Sequence, residues 1–248
     1  MQTLNNQTFT CVGINNTISV IRSKRFRVEK ILIIKNSKAE KNRKLNNALM
    51  SVNKSFIKKI DNRILSSRFK TQGVSIKFSG SLVLEEITDY EGYNDSCLLI
   101  LDRVEDPQNF GQIIRTAECA GIEGILFSKH HSVPLNETVL QVSQGAFVNM
   151  KFYEITNIRN EIEKLKKNNF WIIGLENSIE ARPWYSIDYS GKIAIVVGSE
   201  GNGIRKKVLE KCDFKATIPM QGTTNSLNVS AATSVIAFEI LRQKLEKK

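Results

Sequence analysis

IVVGSEGNGI, residues Ile195–Ile204, is an apolar run that breaks into a loop with glycines at 198, 201 and 203. A run without polar alternation reads as a strand buried on both faces. In open parallel sheets, ligands bind in the crevice at the carboxyl ends of such strands. The spacing here is GxxGxG, which is neither the dinucleotide fingerprint GxGxxG nor the phosphate loop GxxxxGK[ST]. A glycine loop alone is often only a tight turn. Glu200 inside it is more informative, because an acid there faces the ligand crevice.

Working outward, the same character recurs. CLLILDRV (97–104), GILFS (124–128), WIIGLE (171–176) and KIAIVVGS (192–199) read as strands. Helical spacing falls between them at Phe110–Ala120, Glu137–Gln144 and Ile158–Asn168. Strands alternating with helices predict an α/β fold, a parallel sheet flanked by helices. The last stretch, SLNVSAATSVIAFEILRQKLEKK, reads as one long helix. Its first half is apolar all round, which places it in a core or an interface. Toward the start, Val28–Lys35 and Gly73–Ser79 read as strands, and Asn16–Ser23, Leu45–Val52 and Ile57–Phe69 as helices, together a small α/β sandwich. EEITDYEGYNDS (85–96) is acidic, polar and rich in turn formers. The expected division is a basic domain at 1–80, a linker at 81–96 and a larger domain at 97–248. Internal repeats and low-complexity tracts are absent.

The net charge of +11 is unevenly spread. Residues 1–80 hold 17 Lys and Arg against three acids, Glu29, Glu40 and Asp61, a net charge of +14. The remaining residues hold 19 against 22, a net charge of −3. A basic module on a near-neutral body is the electrostatic footprint of nucleic-acid binding. Charge alone also fits a solvated basic surface or attraction to anionic membrane. No run of about 18 apolar residues exists to span a membrane. The first ten residues, MQTLNNQTFT, have neither the basic start nor the apolar core of a secretory signal. Cys11, Cys97, Cys119 and Cys212 are scattered without a CxxC pair. That spacing argues against a zinc site or a disulfide framework and suits a reducing, cytoplasmic setting.

Two further clusters carry polar groups suited to chemistry. DPQNFGQIIRTAECAG (Asp106–Gly121) follows a strand and forms a helix with Phe110, Ile113, Ile114 and Ala117 on its apolar face. Gln112, Arg115 and Glu118 lie opposite, where a surface ion pair is the simplest reading. IPMQGTTNSLNVSAA (Ile218–Ala232) carries a short strand through a loop into the terminal helix. Ser226 and Asn228 stand at that helix start, where both residue types are ordinary N-caps. His130 and His131 lie in a loop with no visible partner, and the zinc signatures HxE…PCxxC and HExxH are missing.

In order and spacing, the three clusters resemble the three motifs of the SPOUT methyltransferase superfamily, in its SpoU/TrmH branch. NFGQIIRTAECAG resembles the first motif, with Asn109 and Arg115 in place. IVVGSEGNGI resembles the second, and IPMQGTTNSLNVSAATSVIAFE the third. QGVSIKF (Gln72–Phe78) is similar to the end of the substrate-binding module of bacterial 23S rRNA guanosine-2′-O-methyltransferases, a module with a ribosomal-protein-like fold. Closer relatives often carry His where this chain has Thr71.

The resemblance implies a trefoil knot in the catalytic domain, S-adenosyl-L-methionine as cofactor, no metal, and a homodimer whose protomers complete each other's sites. It places Gly198, Ile218 and Leu227 in the cofactor pocket. The implied reaction is attack of an RNA ribose 2′-hydroxyl on the sulfonium methyl group, on a guanosine of 23S rRNA. Arg115 is expected at the acceptor hydroxyl or its phosphate. A guanidinium is rarely deprotonated, so stabilising a developing alkoxide is the easier role. Asn109, Glu200, Ser226 and Asn228 are expected to orient Arg115 and the ribose. Two alternatives remain beside this reading: a tRNA 2′-O-methyltransferase, and a non-catalytic RNA-binding ribosome-assembly protein. A Rossmann-type oxidoreductase is disfavoured by the glycine spacing.

Overall fold

The computed structural model describes residues 7–61, 70–84, 86–87, 90, 95–178 and 180–247. In chain order the elements begin with β1 (Gln7–Val12), α1 (Ile14–Ser23), β2 (Arg27–Ile34), α2 (Arg43–Leu49), β3 (Ile57–Ile60) and β4 (Val74–Gly80). There follow β5 (Val83–Leu84), β6 (Cys97–Asp102), α3 (Pro107–Cys119), β7 (Gly124–Ser128), α4 (Glu137–Val142) and β8 (Lys151–Ile155). The chain continues with α5 (Ile158–Lys167), β9 (Trp171–Leu175), β10 (Arg182–Pro183), β11 (Ile193–Gly198), α6 (Lys206–Leu209), β12 (Phe214–Thr217) and α7 (Val229–Glu246).

Two compact units result. The first comprises residues 1–82 together with 135–149, and the second residues 83–134 and 150–248. The first unit holds a four-stranded sheet in the order β1-β4-β2-β3. β4 runs antiparallel to both neighbours and β2 pairs parallel with β3. The expected helix over Ile57–Phe69 is a strand in its described part. Isoleucines at 57 and 60 sit on a ladder with β2, where β-branched side chains pack well. Residues 62–69 lie outside the described residues.

Segment 135–149 was expected to belong to the larger domain, because helical spacing there follows β7. Its partners explain the difference. β1 is an edge strand, and unpaired backbone groups on an edge invite wrong pairing. Glu137 accepts the Thr10 N–H at 2.7 Å, and the Gln141 amide accepts from Val12 N–H at 2.8 Å while donating to Val12 C=O at 2.9 Å. Helical neighbours four residues apart thus satisfy alternate residues of the edge. Phe147, just beyond α4, stacks on Phe78 with ring centroids 5.9 Å apart, in a cluster with Phe26.

The second unit holds an eight-stranded sheet in the order β10-β12-β9-β11-β6-β7-β8-β5. Every pairing in it is parallel. β5 falls inside the stretch read as a linker and pairs with β8 at the sheet edge. All six residues of β6 and all five of β7 are buried, as expected when both faces are covered. On one face Leu98, Ile100, Ala194 and Val196 pack with Ile158, Ile162 and Leu165 of α5 and Val208 of α6. On the other, Leu99 and Ile195 meet Thr233, Ile236, Ala237 and Ile240 of α7.

α3 begins three residues earlier than its apolar spacing suggests. Asp106 caps it, accepting the N–H groups of Gln108 (3.0 Å) and Asn109 (3.3 Å), and Pro107 takes the first turn. Proline is favoured there because that N–H has no helical partner to lose.

Candidate active site

The second unit gathers its polar groups at the carboxyl ends of β6, β9, β11 and β12. β11 ends at Gly198, beside Asp102 at the end of β6. Ser199 and Gly203 exchange backbone hydrogen bonds at 3.2 and 3.0 Å, folding the loop back on its own strand. A Cβ on Gly198 would lie 2.0 Å from the Gly203 carbonyl carbon, so only glycine fits there. Gly203 holds φ +62°, in the left-handed region that favours glycine.

Asp102 anchors this loop. Its carboxylate is fully buried and accepts the Arg205 N–H at 2.9 Å and Nε at 2.8 Å. A buried charge of this kind needs a partner, and the loop supplies one. Asn177, just after β9, donates to the Asn225 carbonyl at 2.6 Å and accepts from Thr217 at 3.3 Å. That tethers residues 221–228, whose own side chains are exposed.

A cavity of about 350 Å³ opens between these loops. Leu175, Val197, Ile218 and Leu227 give it apolar walls, while Glu176, Asn177, Thr217 and Ser226 add polar groups. Gly198, Ile218, Leu227, Ser226 and Glu200 all line it. A second cavity of about 280 Å³ is lined by Arg103, Asn109, Glu200, Asn202 and Arg205 among others. Glu200, Ser199, Asn202, Gly203 and Val229 line both.

Glu200 on that common wall meets one side chain from each of the other two sequence clusters, Asn109, which lines the smaller cavity, and Asn228, which lines neither. Glu200 Oε1 accepts the amide groups of Asn109 and Asn228, each at 2.5 Å, and Asn228 also donates to Asn109 Oδ1 at 3.0 Å. Asn228 is the N-cap of α7 as well, its Oδ1 accepting the Ser230 N–H at 2.9 Å. Asn228 thus caps the helix with its carbonyl and reaches the Glu200 carboxylate with its amide group. Gln112 and Ser230 extend the network, with a 2.9 Å contact between Ser230 Oγ and the Gln112 amide.

Arg115 stands apart. It is exposed on α3 and lines neither cavity. Cys97 and Cys212 are pushed up to about 12 by burial, so neither is a thiolate nucleophile at neutral pH. Among the described residues no group of three or more His, Cys, Asp or Glu is placed to hold a metal ion. No described helix is long and apolar enough to cross a membrane. Asp102, Asn177 and Arg205 were missed in the sequence. Asp102 and Asn177 stand at or just beyond the ends of buried parallel strands, and that position was the available signal.

A protein of Staphylococcus saprophyticus named as a TrmH-family tRNA/rRNA methyltransferase is 44% identical to this chain over 151 residues. That stretch is 60% of this chain and 59% of the relative, less than two thirds of its length. The SpoU methyltransferase AviRb from Streptomyces viridochromogenes, solved in complex with AdoMet, matches with a TM-score of 0.80 at 17% identity, over 96% of this chain and 91% of its own. At that identity the likeness is one of fold. A TrmH/SpoU tRNA modifying enzyme of A. aeolicus matches with a TM-score of 0.58 and 29% identity, over 64% of this chain and 80% of its own. The model described as the SpoU rRNA Methylase family matches residues 96–238, which takes in the three clusters and both cavities, and the chain belongs to that family.

Proposed function

We propose that the chain transfers a methyl group from S-adenosylmethionine to a ribose 2′-hydroxyl of RNA, with a guanosine of 23S rRNA as target. The observation that carries this reading is the Asn109–Glu200–Asn228 contact, whose Glu200 lines both cavities. It joins one residue from each motif at a point reachable from either side. The larger cavity suits the cofactor: its volume is in the ordinary range for ligand pockets, and apolar walls with a few polar groups match a nucleoside bearing an amino acid. Bound there, the cofactor supplies an electrophilic methyl group. Alignment of the attacking oxygen, the main source of rate in such a displacement, falls to the protein. Glu200 uses Oε1 for its two amide partners, and Oε2 accepts from the ribose hydroxyl, holds its orientation and takes its proton as the O–CH3 bond forms and the methyl–sulfur bond breaks.

The same reading assigns Arg115 to the site of a second copy. Ala231, Phe238 and Leu245 are exposed along one side of α7, with Val235 half-buried between them. Spacings of three, four and seven residues make these a stripe suited to a self-complementary contact. α3 packs beside α7, where Thr116 and Ser234 hydroxyls meet at 3.1 Å, so Arg115 borders that stripe. Its guanidinium would stabilise the alkoxide formed across the dimer.

An rRNA target is supported by the first unit, with its concentrated positive charge. The match to the A. aeolicus tRNA enzyme extends over 64% of the chain. The name of the Staphylococcus relative keeps tRNA as the second reading. Calorimetry with S-adenosylmethionine, followed by mapping of ribose methylation across rRNA and tRNA in a deletion strain, tests both. Loss at one 23S guanosine is the expected result. Loss in tRNA selects the second reading, and no loss with no cofactor binding overturns both.

A further inference from the structure

The smaller cavity contains a cation that the reaction as described does not use. Arg103 lines it directly after β6 and holds φ +64°, a left-handed conformation that costs a non-glycine residue free energy. Its Nε is buried without a hydrogen-bond partner, and among the described residues its guanidinium forms no ion pair. Arg205 on the same wall is already committed to Asp102. The nearby acids are accounted for: Asp106 is turned to the first N–H groups of α3, Glu200 is bridged by two amides, and Glu105 is exposed to solvent, where its charge is screened. A strained arginine without a protein partner, beside a cavity that shares its wall with the proposed cofactor pocket, is equipped to meet an anion entering with the acceptor.

We propose that the smaller cavity seats the acceptor strand and that Arg103 holds the phosphodiester flanking the acceptor ribose. The inference rests on the methyl-transfer reading of the larger cavity. A phosphate held by the planar fork of a guanidinium is fixed in orientation as well as position. That would place the 2′-hydroxyl against Glu200 while the methyl donor occupies the other side.

Arg103→Gly is the informative variant, because glycine adopts the observed φ without strain while the charge is removed. Thermal midpoint and S-adenosylmethionine affinity should be equal to wild type or better. Catalytic efficiency on in vitro transcribed rRNA should fall by about tenfold or more, the scale of one charged hydrogen bond. The slope of log K against log salt for a mixed-sequence single-stranded RNA should become shallower by roughly 0.7. Arg103→Lys should restore the slope but not the full efficiency, since it keeps the charge and loses the fork. Wild-type efficiency and slope in Arg103→Gly would overturn the assignment. So would a loss confined to one acceptor base with the slope unchanged, which would mean base recognition. The slope is read from binding alone, so it tests Arg103 even if wild-type protein transferred no methyl group, a result that counts against the methyl-transfer reading instead.

Discussion

The two units tolerate charge on their sheets very differently. In the first, Arg27 and Lys30 of β2, Lys58 and Lys59 of β3, and Lys77 of β4 all stand exposed on strands. In the second, the central strands β6, β7 and β11 carry a single residue charged at neutral pH, Asp102, and it is paired with Arg205. A sheet with one face in water can carry lysines at little cost. A parallel sheet covered on both faces admits a charge only at its carboxyl end, with a partner supplied. The contrast teaches that the two units handle charge by different physics, the first by leaving it in water and the second by burying it with a partner.

The sharpest way to break that separation is Phe147→Ala. Phe147 follows a strand of the second unit in sequence but is fully buried in the aromatic cluster of the first. Truncating such a side chain costs about 3–5 kcal/mol. The expected outcome is earlier unfolding of the first unit in urea and weaker RNA binding, with cofactor affinity by calorimetry unchanged. If cofactor affinity fell in step with stability, the boundary at 135–149 would be wrong.

Next in size is Arg115→Ala, expected to lower turnover by at least about a hundredfold, the scale of one lost transition-state donor. Mixing it with Glu200→Gln distinguishes action within one chain from action across two. Each variant alone should be nearly inactive, and the mixed dimer should recover activity in one of its two sites. No recovery on mixing would return Arg115 to its own protomer.

Asp102→Asn tests the loop anchor. Removing one member of a buried pair is costly, but Arg205 is exposed enough to hydrate, so a loss of about 2 kcal/mol is expected in denaturant titration. S-adenosylmethionine binding should weaken with it, because the loop after Gly198 lines the larger cavity, the one proposed for the cofactor. The smallest effect is Lys54→Gln with Lys58→Gln, which should make the salt slope of RNA binding shallower by roughly 1.4. Lys206→Gln with Lys207→Gln in the second unit serves as the control and should leave that slope unchanged. Equal effects from both pairs would remove the assignment of RNA attraction to the first unit.

Much of the second unit was legible because buried parallel strands announce themselves. Gly124–Ser128 was bounded to the residue, and Cys97–Asp102, Trp171–Leu175 and Ile193–Gly198 to within two at each end. Short strands such as β1, β3 and β8 escaped, since four to six residues with mixed polarity carry little periodic signal. The candidate site divided along similar lines. Asn109, Glu200 and Asn228 could be singled out from motif spacing, but Asp102 looked like the end of an apolar run and Arg103 like an ordinary turn residue.

What the sequence determined by itself was the set of local choices: which runs must be buried, where helices are capped, where charge accumulates and which polar residues stand at strand ends. Tertiary structure alone decided that Asn109 and Asn228, 119 positions apart, share one carboxylate oxygen. It also decided that α4 belongs with β1 although more than a hundred residues separate Val12 from Gln141. Periodicity reports the face a residue presents within its own element, over one or two turns. Which element covers that face depends on chain crossings and on the pairing of edge groups far apart in sequence, and neither leaves a local pattern to read.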